Sequence, residues 1–288
     1  MARTKVLIAV KTYPNPSRKY EELVCTAGFT ENGDWVRIYP VPFRKMRFEN
    51  QYKRYDWIEF DLIKNESDFR PESYRLCSSR IEFLGHLKPE DNWAKRKKYV
   101  LKKVYNNMTE LIAEAKNRDK GTSLAVFKPS RIINFTVEKT GREWDKNKLD
   151  EIKSKRSQKD LFQPPKDLFQ IVKKLPYKFS YLFEDYQGKK CKLMIEDWET
   201  GQLYWNCLAR HKGDEAKAVE DVKKKYFDDF AKKKDLHLFL GTTYRHHHRS
   251  RNPFVIIGTF HPSKEDQLSL FWKGNFALPT VQKTQGRW

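Results

Sequence analysis

Tyr13, Lys19, Tyr20, Arg37, Tyr39, Phe43 and Arg44 interleave flat rings with cations near the start of the chain. Rings of this kind stack on unpaired bases while Lys and Arg track the phosphates, so the chemistry implied is contact with a nucleic-acid strand. The plainer use of the same aromatics is packing, because most aromatic side chains are core residues. It is the constellation, not any one member, that points to binding. A second concentration is Lys95-Arg96-Lys97-Lys98 followed by Lys102-Lys103. Like charges at that density repel unless an anion answers them, which favours phosphate contact over a merely solvated helix face. A third is Arg245-His246-His247-His248-Arg249-Ser250-Arg251. Neighbouring side chains on an extended loop point apart, which suits a tetrahedral metal site poorly. Arg245, Arg249 and Arg251 fit phosphate contact better, with an ordinary polar loop as the simpler alternative. No metal is expected.

Enzyme chemistry finds little support. The chain has no GxxxxGK[ST], no GxGxxG after a strand, no HExxH and no GxSxG, so no cofactor is expected. Asp56, Glu59 and Asp61 with Lys64 form the one acidic group worth weighing, as a metal-dependent nuclease. On a strand, however, Asp56 faces away from Glu59 and Asp61, and the alternation with Trp57, Ile58 and Phe60 is what any half-buried strand shows. The reading is therefore a non-enzymatic binder, with a nuclease and an interaction scaffold as alternatives. Gln267-Leu268-Ser269-Leu270-Phe271 matches Gln-Leu-(Ser/Asp)-Leu-Phe, the pentapeptide by which bacterial polymerases and repair proteins dock on the replicative sliding clamp. Gln267, Leu268, Leu270 and Phe271 would make that contact. The alternative is that the three apolar residues alternate inward as a final strand.

The elements that must position these residues change character along the chain. Up to residue 88 the pattern is β, with runs at Lys5–Val10, Glu22–Phe29, Trp35–Tyr39, Trp57–Ile63 and Arg80–Leu84. Glu31-Asn32-Gly33-Asp34 supplies a hairpin loop. Between Pro89 and Arg118 apolar residues recur at helical spacing, and Gly121 closes the second helix. Ser123–Val137 returns to strand. Residues 142–175 are Lys-rich, carry Pro164-Pro165, and repeat Lys-Asp-Leu-Phe-Gln at 159–163 and 166–170 as a short docking segment. The last third reads β–β–α–β–β, with Trp205–Ala209 as a further possible strand and a long helix from Gly213 to Lys234.

Several stretches are similar to a bacterial family of dual OB-domain proteins. They are Lys11-Thr12-Tyr13-Pro14, Lys19-Tyr20-Glu21-Glu22, Val24-Cys25-Thr26-Ala27-Gly28 and Trp35-Val36-Arg37-Ile38-Tyr39-Pro40-Val41-Pro42-Phe43-Arg44. Gly241-Thr242-Thr243 and Asn252–Phe260 resemble its other end. The resemblance implies two five-stranded barrels and nucleic-acid contact, and carries no assigned reaction. The expected fold is thus α+β, mostly β: an OB-like domain at 1–88, a basic helical insertion with a returning strand at 89–175, and a second OB-like domain with one long helix and a tail at 176–288.

Composition agrees with a polyanion partner. Of 288 residues, 58 are Lys or Arg against 38 Asp or Glu, a formal net charge of +20. With 39% hydrophobic and 14% aromatic residues, the chain has the means to bury a core. No apolar run is long enough for a membrane span, and the N-terminus lacks the pattern of a signal peptide. Cys25, Cys77, Cys191 and Cys207 are far apart, as in reduced thiols, so a cytoplasmic location is expected.

Overall fold

Val6, Leu7, Ile8, Ala9 and Val10 are all fully buried, although a strand on a one-sided sheet would bury only every second residue. Both faces of this first strand, β1 (Ala2–Lys11), are covered. Val6 and Ile8 point into a core shared with Val24, Ile38, Ile58 and Phe60. Leu7 and Ala9 point outward, onto Phe239, Ile257 and Phe260. The computed structural model, which describes residues 2–18, 21–160 and 171–265, shows why. The inner core belongs to a barrel, and the outer one joins that barrel to the rest of the chain.

The barrel is built from β1, β3 (Glu21–Phe29), β4 (Trp35–Val41), β5 (Asp56–Lys64) and β6 (Ser73–His86), with a short β2 (Asn15–Ser17) on the edge of β3. Its ring order is β1-β5-β6-β4-β3, closed by β1–β3 pairing. All pairs are antiparallel except β4 and β6. This closed five-stranded ring is compatible with the OB-like fold expected from the sequence. At the closing seam Ile8 faces Gly28, where a Cβ would lie 2.2 Å from the Leu7 carbonyl oxygen, so only glycine lets the strands meet.

Residues beyond the barrel depart from expectation. They form two sheets, one ordered β11-β10-β9 and the other β13-β12-β8-β7. The strands are β7 (Val104–Tyr105), β8 (Leu124–Phe127), β9 (Arg131–Lys139), β10 (Tyr177–Glu184), β11 (Lys190–Met194), β12 (His237–Thr242) and β13 (Phe254–Phe260). An isolated bridge between Ile195 and Ile256 links the sheets. No second closed barrel forms among the described residues. Helices α2 (Met108–Lys116), α4 (Trp198–Arg210) and α5 (Glu215–Lys223), the last continuing as a π-helix over Lys224–Ala231, contribute Leu111, Tyr204, Val222 and Tyr226 to the core with Phe135, Phe179 and Tyr181. The helical insertion expected at 89–175 is not confirmed as such, although the returning strand expected in it falls where β8 and β9 lie. That stretch supplies α1 (Glu90–Val100), α2 and α3 (Lys146–Asp160), but also β7, β8 and β9 of the two sheets. Trp205–Ala209, a possible strand by sequence, lies in α4, whose first turn is capped by Asp197 accepting from the Glu199 N–H. Strand still outweighs helix, 39% against 27%, so the fold is mostly-β α+β. No helix among the described residues is long and apolar enough to cross a membrane.

Charged side chains staple barrel to sheets. Arg54 reaches Glu199 at 2.5 Å and the Thr259 carbonyl. Glu72 accepts from the Ser123 N–H and hydroxyl at 2.9 and 2.7 Å. Arg70 donates to the Thr242 carbonyl at 2.7 Å. His261 closes the same interface, stacked 3.7 Å from Phe230 and 4.9 Å from Trp93. Burial pushes its imidazole down to about 3, with Arg54 pushing the same way. Unfolded, it would take its proton near 6.5. Between those values the unfolded chain binds the extra proton, so stability falls as pH drops from about 6.5 toward 3. In urea titrations across that window, His261→Phe, which keeps a ring against Phe230, should flatten the loss. An unchanged pH dependence would show that other groups govern it.

Candidate nucleic-acid interface

The loop between β5 and β6 is shaped by Asp68, which is buried and accepts from Arg70 Nε at 2.8 Å, Arg70 Nη2 at 2.6 Å and the Ser73 hydroxyl at 2.6 Å. Burial alone would raise this carboxyl, but the hydrogen bonds from Arg70 and Ser73 outweigh it and hold it below its ordinary value. With Asp68 and Arg70 turned inward, Phe69 between them is left 46% exposed. The Arg70 bond to Thr242 brings this loop against the one between β12 and β13, where Tyr244 is 56% exposed. The two rings lie 5.1 Å apart, and His248 lies 4.7 Å from Phe69. Arg245, Arg249 and Arg251 are exposed on the same loop. The result is an exposed aromatic pair, one ring of which sits on a loop that also carries three exposed arginines.

The loop is held from below by His247, which is fully buried. It bonds to the Thr242 hydroxyl at 2.7 Å and the Ala115 carbonyl at 2.6 Å. Nε2 donates to the carbonyl, so Nδ1 of the neutral ring accepts from Thr242. Burial lowers its pKa, which keeps it neutral. The His-rich run is therefore structural at its centre. No group of three or more metal-ligating side chains assembles among the described residues.

Beside Tyr244 opens a cleft of about 740 Å³ between barrel and sheets. Its barrel wall is the outer face of β3 and β4, with Cys25, Arg37 and Tyr39. Arg70 and Lys148 of α3 add cations, while Asp145 and Glu196 add carboxylates. Burial pushes the Glu196 carboxyl up, toward its neutral form. Two buried polar atoms of residues lining this cleft, Arg37 Nε on the barrel side and Thr243 Oγ1 on the β12–β13 loop, have no hydrogen-bond partner.

The residues singled out from sequence scatter over several roles. Tyr13 is buried, donates to the Lys173 carbonyl at 2.7 Å and accepts from Trp205 at 2.8 Å, so it packs rather than offering a face to a base. Phe43 is buried among Tyr52 and Trp198. Arg37 is buried and bonded to Ser123. Arg44 pairs with buried Glu22 at 2.6 Å. Tyr39 is half-buried in the cleft wall. The basic run on α1 divides by helical position. Arg96 turns inward over Tyr55, 3.8 Å from the ring, and binds the Leu87 carbonyl. Lys97 pairs with Glu265 at 2.6 Å, Lys102 binds the Asn32 carbonyl, and Lys95 and Lys98 remain exposed. Lys19, Tyr20 and the Gln267, Leu268, Leu270, Phe271 pentapeptide lie outside the described residues, as do both Leu-Phe pairs of the repeat. Asp56 bonds to His86 at 2.7 Å, Asp61 to Ser78 at 2.6 Å, and Glu59 pairs with Arg3, so these carboxylates are divided among separate partners. Phe69, Arg70, Lys148 and Tyr244 were not among the expected residues. The adjacency of Tyr244 to Arg245, and of Phe69 to Arg70, was the available signal.

No curated protein matches the chain. Among solved structures, a murine DNA-binding protein bound with double-stranded DNA is similar over 92% of this chain and 98% of its own, at 10% identity and a TM-score of 0.31, too low to bear on fold or function. Residues 2–102 match the family model described as domain of unknown function DUF8758. Residues 86–275, well over half of the sequence, match that of domain of unknown function DUF8757, and the chain belongs to that family.

Proposed function

We propose that the protein binds single-stranded nucleic acid, DNA or RNA, without catalysis, along the face that runs from the Phe69–Tyr244 platform into the adjoining cleft. The observation that carries this reading is the exposed aromatic pair, with Arg245, Arg249 and Arg251 exposed on the same loop as Tyr244. Exposed rings stack on unpaired bases whatever their identity, and guanidinium groups pair with phosphate oxygens in two-pronged fashion. The formal charge of +20 supports the same partner. A duplex hides its base faces, so the platform favours a single strand.

Labelled single-stranded DNA, RNA and duplex, titrated across a range of salt concentrations, test this. Affinity should fall linearly with salt on logarithmic axes, with a slope of about −0.7 per phosphate neutralised on a single strand. Replacing Arg245, Arg249 and Arg251 together by Ala should make that slope shallower by about 2. A salt-independent affinity, or a slope unmoved by the triple change, would contradict the assignment.

A further inference from the structure

A second cleft, of about 610 Å³, lies where the barrel meets α1 and α4. Its walls include Trp93 and Trp198, each half-buried. Trp93 is held in an unusual backbone conformation. Asp91, Asn92 and Trp93 take φ values of 48°, 49° and 65°, the left-handed region that bulky side chains avoid. Two reciprocal bonds from Asn92 to the Ser263 backbone, 2.7 and 2.9 Å, and ring contacts with Tyr55 and Phe260 hold it there. Strain of this kind persists where the surroundings over-determine it, and it gathers at ligand clamps. Trp198 packs on Phe43, with Lys11 Nζ 5.4 Å from its ring.

The charges lining this cleft and just behind its walls do not cancel. Arg54 is answered by Glu199. Asp56 is occupied by His86 and by the Lys53 N–H at 2.6 Å. Burial pushes Asp197 up to about 7. Lys11 Nζ donates to the Tyr52 carbonyl at 3.0 Å and lies 4.5 Å from the Phe43 ring, and Lys53 is exposed at the rim. Gln202 and Asn206, one turn apart on α4, bond to each other at 3.2 Å and leave amide donors and the Gln202 Oε1 acceptor unspent. Flat aromatic walls, two ammonium groups and a pair of amides converge in one pocket of ordinary ligand size, about 300–1,000 Å³.

The geometry points to a binding site for a nucleoside phosphate, with the base against the tryptophans, its edge read by Gln202 and Asn206, and the phosphate at Lys11 and Lys53. The ligand chemistry is shared by a free nucleotide and by the 5′-phosphorylated end of a strand. This site is separate from the Phe69–Tyr244 face, and its test does not depend on that face.

Titration with AMP, adenosine, inorganic phosphate and a 5′-phosphorylated oligonucleotide, read by tryptophan fluorescence and calorimetry, distinguishes the sources. AMP or the 5′-phosphorylated end should bind at least about tenfold more tightly than adenosine or phosphate alone, since each of those forfeits one half of the site. Preference between the two names the source. Lys53→Glu should weaken that binding about tenfold. Asn206→Trp, on the exposed side of α4, should fill the cleft and abolish binding while leaving the thermal midpoint unchanged. The proposal is overturned if neither AMP nor the 5′-phosphorylated end binds at millimolar concentration, or if either binds equally to Asn206→Trp. Phe69→Ala should leave AMP binding intact, so failure of one site is distinguishable from failure of the other.

Discussion

Phe69→Ala combined with Tyr244→Ala should lower affinity for single-stranded oligonucleotides by at least tenfold, while a polar change on the barrel surface far from the platform leaves it unaltered. A base stacked on one aromatic side chain contributes about 1–3 kcal/mol, and two rings are removed here. Both rings are roughly half exposed, so their loss opens no cavity, and the folded state should survive with little change in unfolding midpoint. The single variants should each lose part of the affinity. They should not add fully, because the rings touch at 5.1 Å and share one stacking surface. Fluorescence anisotropy at fixed low salt reads the effect. Undiminished binding by the double variant would remove the platform from the interface.

The second large effect is on stability. Arg54→Ala should cost about 3–5 kcal/mol, the range for removing one partner from a buried charged network. Arg54 is nearly fully buried, donates to the Tyr55 hydroxyl beside it, and joins the barrel to the rest through Glu199 and the Thr259 carbonyl. Its loss strands the Thr259 carbonyl and withdraws the positive charge nearest buried Asp197, 3.9 Å away. Burial already pushes the Asp197 carboxyl up, and Arg54 is the principal charge opposing that. Without it Asp197 should take a proton at higher pH still, so the variant should lose most stability above neutral pH. Glu199→Gln is the control. That side chain is 49% exposed and solvent screens its pair, so about 1 kcal/mol or less is expected. Urea unfolding of both variants checks the contrast. Equal, small losses would show that the interface rests on its apolar contacts alone.

The barrel was most legible where a strand is half-buried. Along β5, residues Asp56 to Leu62 alternate between the core and a partly covered face, which is the period-two signal a sequence can display. Trp205–Ala209 was not legible as helix. A short apolar run has no period of its own, and the deciding features lie upstream, in the Asp197 cap and in Gly201, where Tyr13 packs too closely for any Cβ. The second barrel failed for a tertiary reason: strands from residues 104–139 pair with strands from 177–260, and no local pattern announces those partners. The basic run on α1 was visible as charge, but which member faces inward depends on Tyr55 and the Leu87 carbonyl, both on the barrel side. Phe69 and Tyr244 are far apart in the chain and meet through the Arg70–Thr242 bond and the packing of Phe69 on His247 and His248. Each alone reads as an ordinary loop aromatic. Proximity made the platform, and proximity is a property of the fold.

The central claim, that a nucleic-acid strand lies on the Phe69–Tyr244 face, is tested most directly by photo-crosslinking. A single-stranded oligonucleotide carrying 5-bromouracil would be bound at low salt, irradiated and digested, and the crosslinked residues identified by mass spectrometry. The expected result is adducts on Phe69 and Tyr244, suppressed by excess unlabelled strand and by raised salt. Adducts confined to the α1 face around Lys95 and Lys98, or no adduct above the level of an unrelated protein, would contradict it.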